Sequence, residues 1–331
     1  MGLAYPRGME RISIPALGKR VQSEADAYEF MEEMRWAGQP VCPHCGSVRE
    51  HYFLTPKAEA GRATRRGKVS ERRVWKCAAC RRQFSVLTGT VMHSSKIPVK
   101  TWLFVIVEIC SSKNGVSARE IQRKYELTPK TAWHMLHRLR EAMKRGDAFQ
   151  PMTGTIVADE AYIGGQSRRK YGHLRADIEH IVPAKAVVFT LINAESGEAR
   201  SKVVPNVKGD TLWSAIRAQV DMPNSRLMTD ESMSYRGVGR EFGLGHDSVT
   251  HNLGEYVRGD VSTNRAENYF GQLKRSIDGT FHKVSHEHLD RYLAEFDFRY
   301  STRKLTDTQR VYRLMGQVAG RRLAYRPLTN P

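Results

Sequence analysis

Two Cys-x-x-Cys knuckles, Cys42-Pro-His-Cys45 and Cys77-Ala-Ala-Cys80, constrain this chain more than any other feature. Each knuckle can turn two thiolates toward one ion, and four thiolates complete a tetrahedral structural zinc site. The rival reading of Cys-x-x-Cys is a redox pair, but two copies flanking a basic stretch fit a ribbon better. The intervening 31 residues exceed the commonest spacing and require a loop. Gly46 and Arg81 follow the knuckles where tight turns around the metal are expected. His44 and His51 are further donors, yet the cysteines already fill the site. The fifth cysteine, Cys110, lies in an apolar run and is expected to pack in a core. Paired spacing in a chain of 331 residues predicts metal binding in a reducing compartment rather than a disulfide framework.

The charge balance narrows the partners. Lys and Arg number 53 against 35 Asp and Glu, a formal net charge of +18. Such a surplus favours a polyanion, and nucleic acid before an anionic membrane. The first residues hold no apolar signal segment, and the most apolar run, Trp102–Cys110, is too short to span a bilayer. No membrane partner is expected. Arg62 to Arg82 is strongly basic, and Gly61–Ser70 within it reads as a loop.

Periodicity divides the chain. Glu24–Trp36 has helical spacing and is expected to be a packing helix in an N-terminal segment, 1–40. The zinc ribbon is assigned to 41–96. Helices are expected over 97–148: one opened by Pro98, one by the capping pattern Ser117-Ala-Arg-Glu120, and one by Thr128-Pro129. The last two read as a helix-turn-helix, with Lys130, Thr131, His134, His137 and Arg138 directed toward DNA from the recognition helix. An ordinary helical hairpin is the alternative. From Gly154 the pattern changes to strands at 155–163, 185–193, 199–204 and 225–229. A helix at 210–220 interrupts them, and helices follow at 262–278, 285–300 and 306–318. This order predicts a mixed α/β domain over about 150–300.

Three acids in that region have the chemistry to hold hard divalent metals. Asp159 sits in the apolar strand 155–163 and is expected toward its end, near a turn. Asp230 follows Arg226-Leu-Met-Thr229, and Glu267 lies in a helix. Such a set can hold a pair of Mg²⁺ ions, the arrangement used for phosphoryl displacement. Each has a plainer alternative: Asp159 as a turn residue with Glu160 competing, Asp230 as a helix cap with Glu231 competing, Glu267 as part of a capping box opened by Asn264. Lys274 shares the face of Glu267, two helical turns on, suited to a DNA phosphate.

The chain resembles bacterial insertion-sequence transposases with an N-terminal zinc ribbon, relatives of the eukaryotic Merlin elements. The resemblance is carried by CPHCGS at 42–47, WKCAACRRQFSVLTGTVMHSSKIPVKTW at 75–102, VADEAYIGG at 157–165, HNLGEYVRGDVSTNRAENYFGQLKRSIDGTFHKVS at 251–285 and HLDRYLAEFDFRY at 288–300. It implies a ribonuclease-H-like catalytic domain, 149–304, followed by a C-terminal helix and tail, 305–331. It assigns the DDE triad to Asp159, Asp230 and Glu267, with Lys274 as accompanying base, and leaves Asn264, Asn268 and His251 as further contributors. It further implies two Mg²⁺ (or Mn²⁺) ions and one Zn²⁺. The implied partners are double-stranded DNA, as transposon ends and target, and further copies of the chain in a dimer or larger assembly. The implied compartment is the bacterial cytoplasm at the nucleoid. The alternatives are a DNA-binding regulator without catalysis, and a related nuclease or resolvase that cuts without joining.

Overall fold

A computed structural model describes residues 11–48, 51–55, 71–145, 150–164, 185–230, 232–235, 237–249, 257–258 and 261–329. The basic stretch Gly61–Ser70, Glu231 and His251 lie outside the described residues. The chain divides into two units, one of Met1–Met143 with Leu305–Pro331 and one of Lys144–Lys304. The C-terminal segment expected only as helix and tail thus belongs with the N-terminal half.

The first unit starts with α1 (Ile14–Arg20), whose first turn holds a proline and whose Ser13 accepts from the Ala16 N–H. Helix α2 (Glu24–Trp36) is opened by a capping box between Ser23 and Asp26 and closed by Ala37 in the left-handed region, φ 46°. Three short strands, β1 (His51–Leu54), β2 (Val74–Cys77) and β3 (Gln83–Phe84), form an antiparallel sheet in that order. Trp36 of α2 meets Trp75 and Phe84 edge-on, tying the small sheet to the helix. Glu32 accepts from the Trp75 indole N–H at 3.0 Å and from Arg73 Nε at 3.1 Å.

Helix α3 (Val99–Ser111) begins after Pro98, which offers no capping side chain. Glu24 supplies the cap instead, accepting from the Val99 and Lys100 N–H groups at 2.5 and 3.1 Å. Helices α4 (Ala118–Lys124) and α5 (Pro129–Met143) follow, and Ser117 caps α4 through the Glu120 N–H. Ala132, Leu136, Leu139 and Met143 form the buried stripe that the spacing predicts. Two further helices, α9 (Asp307–Gln317) and α10 (Arg326–Thr329), complete this unit. Helix α9 packs against α2, α3 and α5.

In the second unit a five-stranded mixed sheet is built from β4 (Met152–Ile163), β5 (Ala186–Asn193), β6 (Ala199–Val204), β7 (Val220–Asp230) and β8 (His246–Val249), ordered β6-β5-β4-β7-β8. β4, β5 and β6 pair antiparallel, whereas β7 joins β4 and β8 joins β7 in parallel. Because side chains alternate along a strand, the sheet feeds two cores. One face carries Ile156, Ala158 and Leu227 against Leu212 and Ile216 of α6 (Gly209–Arg217). The other carries Val157, Ala161 and Met228 against α7 (Asn264–Ser276) and α8 (His286–Ser301). Every residue of β5 is buried, which explains its continuous apolar run. A two-stranded ladder, β9 (Val257–Arg258) with β10 (Val261–Ser262), precedes α7.

Candidate metal centre and acidic cluster

The two knuckles adopt the same turn. The Gly46 N–H donates to the Cys42 carbonyl at 2.9 Å and the Arg81 N–H to the Cys77 carbonyl at 3.0 Å. The Cys42 N–H closes onto Ser47 O and the Cys77 N–H onto Arg82 O. Gly46 and Arg81 both take positive φ, 71° and 59°, as the tight turns require. The Sγ atoms of Cys42, Cys45, Cys77 and Cys80 all lie within 4.8 Å of one another. Cys42–Cys80 and Cys45–Cys77 are each 3.7 Å apart. Zinc–sulfur bonds of about 2.3 Å in a tetrahedron put the sulfurs about 3.8 Å apart, so the donor set fits zinc. The backbone N–H groups of Cys80 and Ala79 pull the Cys77 thiol down to about 6, while burial pushes Cys42 up to about 11. A divalent cation compensates the buried charge that burial alone disfavours. His44 and Cys110 are not among this sulfur set; Cys110 is buried in α3, as expected.

The acids of the second unit are brought together by strand register. In the parallel pair β4–β7, Val157 stands opposite Met228. Two residues further on, Asp159 and Asp230 point to the face that Val157 and Met228 share. Helix α7 covers that face with Ala266, Tyr269, Phe270 and Leu273, and Glu267 is an exposed residue of its first turn. The strand ends at Ile163 as its expected span does, but Asp159 lies inside it and not at the strand end expected for it. β4 continues to Ile163 because β5 pairs with it throughout, Asp159 opposite Thr190, whereas the pairing with β7 stops at Val157. Asp230 is the last residue of β7.

Burial first, then repulsion from Glu160, Asp230 and Glu267, raises the Asp159 carboxyl to about 7, although the Glu160 N–H favours its ionised form at 2.8 Å. Asp230 and Glu267 thus act on Asp159, as the adjacent Glu160 does, while among the described residues only the four cysteines stand close enough together to form a ready metal cluster. Glu160 faces the other way: its carboxylate accepts from the hydroxyl of buried Tyr235, which belongs to the opposite core. Burial raises the Glu160 carboxyl as well. Asp230 Oδ1 accepts from the Ser232 N–H at 3.0 Å, a turn contact ahead of the 3-10 turn Met233–Tyr235 and not the helix cap of its plainer reading. Glu267 is not in a capping box: the N-cap of α7 is Thr263, without a side-chain cap. Lys274 is exposed two turns along the same helix.

The expected DNA-facing set on α5 divides. Lys130 is exposed, and Thr131 and His134 are half-buried. His137 and Arg138 do not face solvent, which corrects the outward assignment. His137 is fully buried with its ring edge-on to Trp133, and Arg138 donates to the His93 carbonyl with its guanidinium over Trp102. The apolar stripe of α5 is wider than its leucines imply, and it takes both residues with it.

Residues 22–83 match the transposase zinc-ribbon domain and residues 151–301 match the ISXO2-like transposase domain, together more than half of the chain. The chain belongs to the insertion-sequence transposases that join these two modules. It is 24% identical over 290 residues to an uncharacterized protein in transposable element ISH50 of Halobacterium salinarum, spanning 85% of this chain and 92% of that relative. Among the described residues no helix is long and apolar enough to cross a membrane.

Proposed function

We propose that the chain binds the ends of an insertion sequence and catalyses metal-dependent cleavage and joining of DNA strands, with Asp159, Asp230 and Glu267 as a DDE triad on a ribonuclease-H-like domain. The observation that carries this reading is the register of β4 and β7, which aligns two aspartates beneath the helix that bears the third acid. Three carboxylates offer the hard oxygen donors that Mg²⁺ or Mn²⁺ prefers. Asp159 is raised chiefly by burial and then by the neighbouring acids, and bound cations would offset both. Two bound ions would stabilise the attacking and leaving oxygens of an in-line displacement. The residues of the chain hold and orient: Asp159 and Asp230 from rigid strands, Glu267 from the helix packed upon them. Lys274, exposed on that helix, is suited to a DNA phosphate. The zinc ribbon, Lys130, Thr131 and His134 are proposed to contact duplex DNA. A dimer or larger assembly on two DNA ends fits the reaction.

The test compares Asp159→Asn, Asp230→Asn, Glu267→Gln and Glu160→Gln in Mg²⁺-dependent cleavage, joining and duplex binding. The first three are expected to lose cleavage and joining by at least about 10³-fold, the scale of a lost transition-state clamp, and to keep duplex binding. Glu160→Gln, whose side chain faces Tyr235, is expected to stay within about tenfold of wild type. Full activity in all three triad variants would return the chain to a non-catalytic DNA-binding role.

A further inference from the structure

A belt of concave surface runs through the first unit with cations along it and no carboxylate. One hollow, about 850 Å³, has Arg35, His44, His93, Arg313, Arg321 and Arg322 among its lining residues. A second hollow of about 130 Å³ shares His93 with it and adds Arg72. A third, about 330 Å³, shares Ser94 and Ser95 with the second and reaches Lys130 and His134 of α5. No Asp or Glu lines any of the three, in a chain that has 35 of them. The three hollows are neighbours along the segment around His93 and form a positive track from the zinc knuckles to the start of α5, while the hollow on the other side of Trp36 is the acidic one, with Glu29, Glu32 and Glu33.

Several of these basic groups lie near enough to act on one residue. The charges of Arg322, Arg138, Arg72 and His44 all act on His93, whose pKa is lowered by burial first and by these neighbours next. The arm that brings the arginines is fixed in place. The Val91 N–H donates to the Val318 carbonyl and the Gly320 N–H to the Gly89 carbonyl, both at 2.9 Å, and Thr90 bridges to Ala319. Arg321 is committed to structure, donating to the Glu141 and Ala142 carbonyls that end α5. Arg322 is exposed and Arg313 half-buried, and neither is ion-paired with a carboxylate among the described residues. Holding like charges together is unfavourable unless an anion neutralises them, and a polyanion gains further by releasing its counterions.

We propose that this track is a seat for the phosphate backbone of duplex DNA, and that the C-terminal arm, through Arg313 and Arg322, is part of the DNA-binding surface together with the zinc ribbon. The proposal rests on the reading of the chain as a DNA-binding transposase, and it assigns to the chain's last residues a role that the α5 assignment did not contain.

The test uses full-length, zinc-loaded protein and a fluorescent random-sequence duplex, with affinity measured across a salt series. Arg313→Ala with Arg322→Ala is expected to flatten the slope of log K against log salt by about two and to weaken binding about 30-fold near ~0.15 M salt. Arg313→Lys with Arg322→Lys keeps both charges and is expected to keep the slope. Arg322→Glu alone, at an exposed position, tests the track without disturbing the core and is expected to weaken binding further than Arg322→Ala. Lys19→Ala with Lys113→Ala removes equal charge from exposed positions off the track and is expected to change the slope by less than one. An unchanged slope in the arginine pair, or an equal change in the lysine pair, would overturn the proposal. So would arginine variants that lose binding to anionic lipid vesicles but not to the duplex. Protein that cleaves no DNA yet loses duplex binding through the arginine pair would sink the proposed activity and leave the track standing.

Discussion

Asp159 is an acid poised near neutrality, and this has a measurable consequence for the metal-free protein. Its carboxyl lies at about 7 in the fold against an ordinary value of 3.8, through burial and the neighbouring acids. Between about pH 4 and pH 7 the unfolded chain has released a proton that the native state still holds. The slope of stability with pH is negative where the native state binds more protons, so this group costs stability as pH rises through that window. Asp159→Asn cannot ionise. Urea melts of metal-free protein are therefore expected to show the variant gaining on wild type from pH 4 to pH 8, with no further gain above. Added Mg²⁺ is expected to stabilise wild type at pH 8 and the variant much less. A difference between the two proteins that does not vary with pH would show that Asp159 titrates normally.

At the scale of elements, α7 is tied to the sheet by a buried polar knot. Asp297 of α8 accepts from the Tyr269 hydroxyl at 2.8 Å and from the Ser201 N–H at 2.7 Å, and Ser201 Oγ sits 2.9 Å from Thr190 Oγ1. Tyr269 stands two residues after Glu267, so this knot fixes the helix that carries the third acid. Tyr269→Phe keeps the ring and removes one donor from a buried carboxylate, which is expected to cost about 1–3 kcal/mol. A thermal melt of the second unit reads that loss, and Mg²⁺-dependent cleavage is expected to fall with it as Glu267 is held less firmly. The elements themselves were mostly legible. Glu24–Trp36 and Ala199–Val204 agree with the spacing at both ends, and Ala266, Tyr269, Phe270 and Leu273 are the buried side of α7, with Ile277 buried just past its end. What could not be read locally was decided by neighbours. β8, only His246–Val249, has too few residues to show a period. His137 and Arg138 looked polar and outward until Trp133, Trp102 and the His93 carbonyl enclosed them. Residue type and resemblance led to the expectation of Asp159, Asp230 and Glu267, and the register adds that Asp159, unlike Glu160, lies on the face that α7 covers.

At the scale of the whole molecule, the chain leaves its first unit after Met143, builds the second, and returns at Leu305. The returning segment is core to the first unit: Val311, Leu314, Met315, Val318 and Leu328 are all buried, and α9 packs against α2, α3 and α5. Each such side chain contributes about 1.5–3 kcal/mol by leaving water, against a typical domain stability of about 5–15 kcal/mol. Deleting residues 305–331 removes them together, along with the Val91–Val318 and Gly89–Gly320 hydrogen bonds. Although the cut falls next to the second unit in sequence, the first unit is the one expected to fail. Calorimetry on the truncated chain should lose the transition that zinc chelation abolishes in the full chain, while the transition stabilised by Mg²⁺ persists. The coupling also runs the other way. Cys77→Ser weakens the ribbon that Trp36 and Phe84 tie to α2, so it should lower the same transition and leave the Mg²⁺-dependent one in place. If truncation instead removed the Mg²⁺-dependent transition and spared zinc binding, the division of the chain into these two units would be wrong.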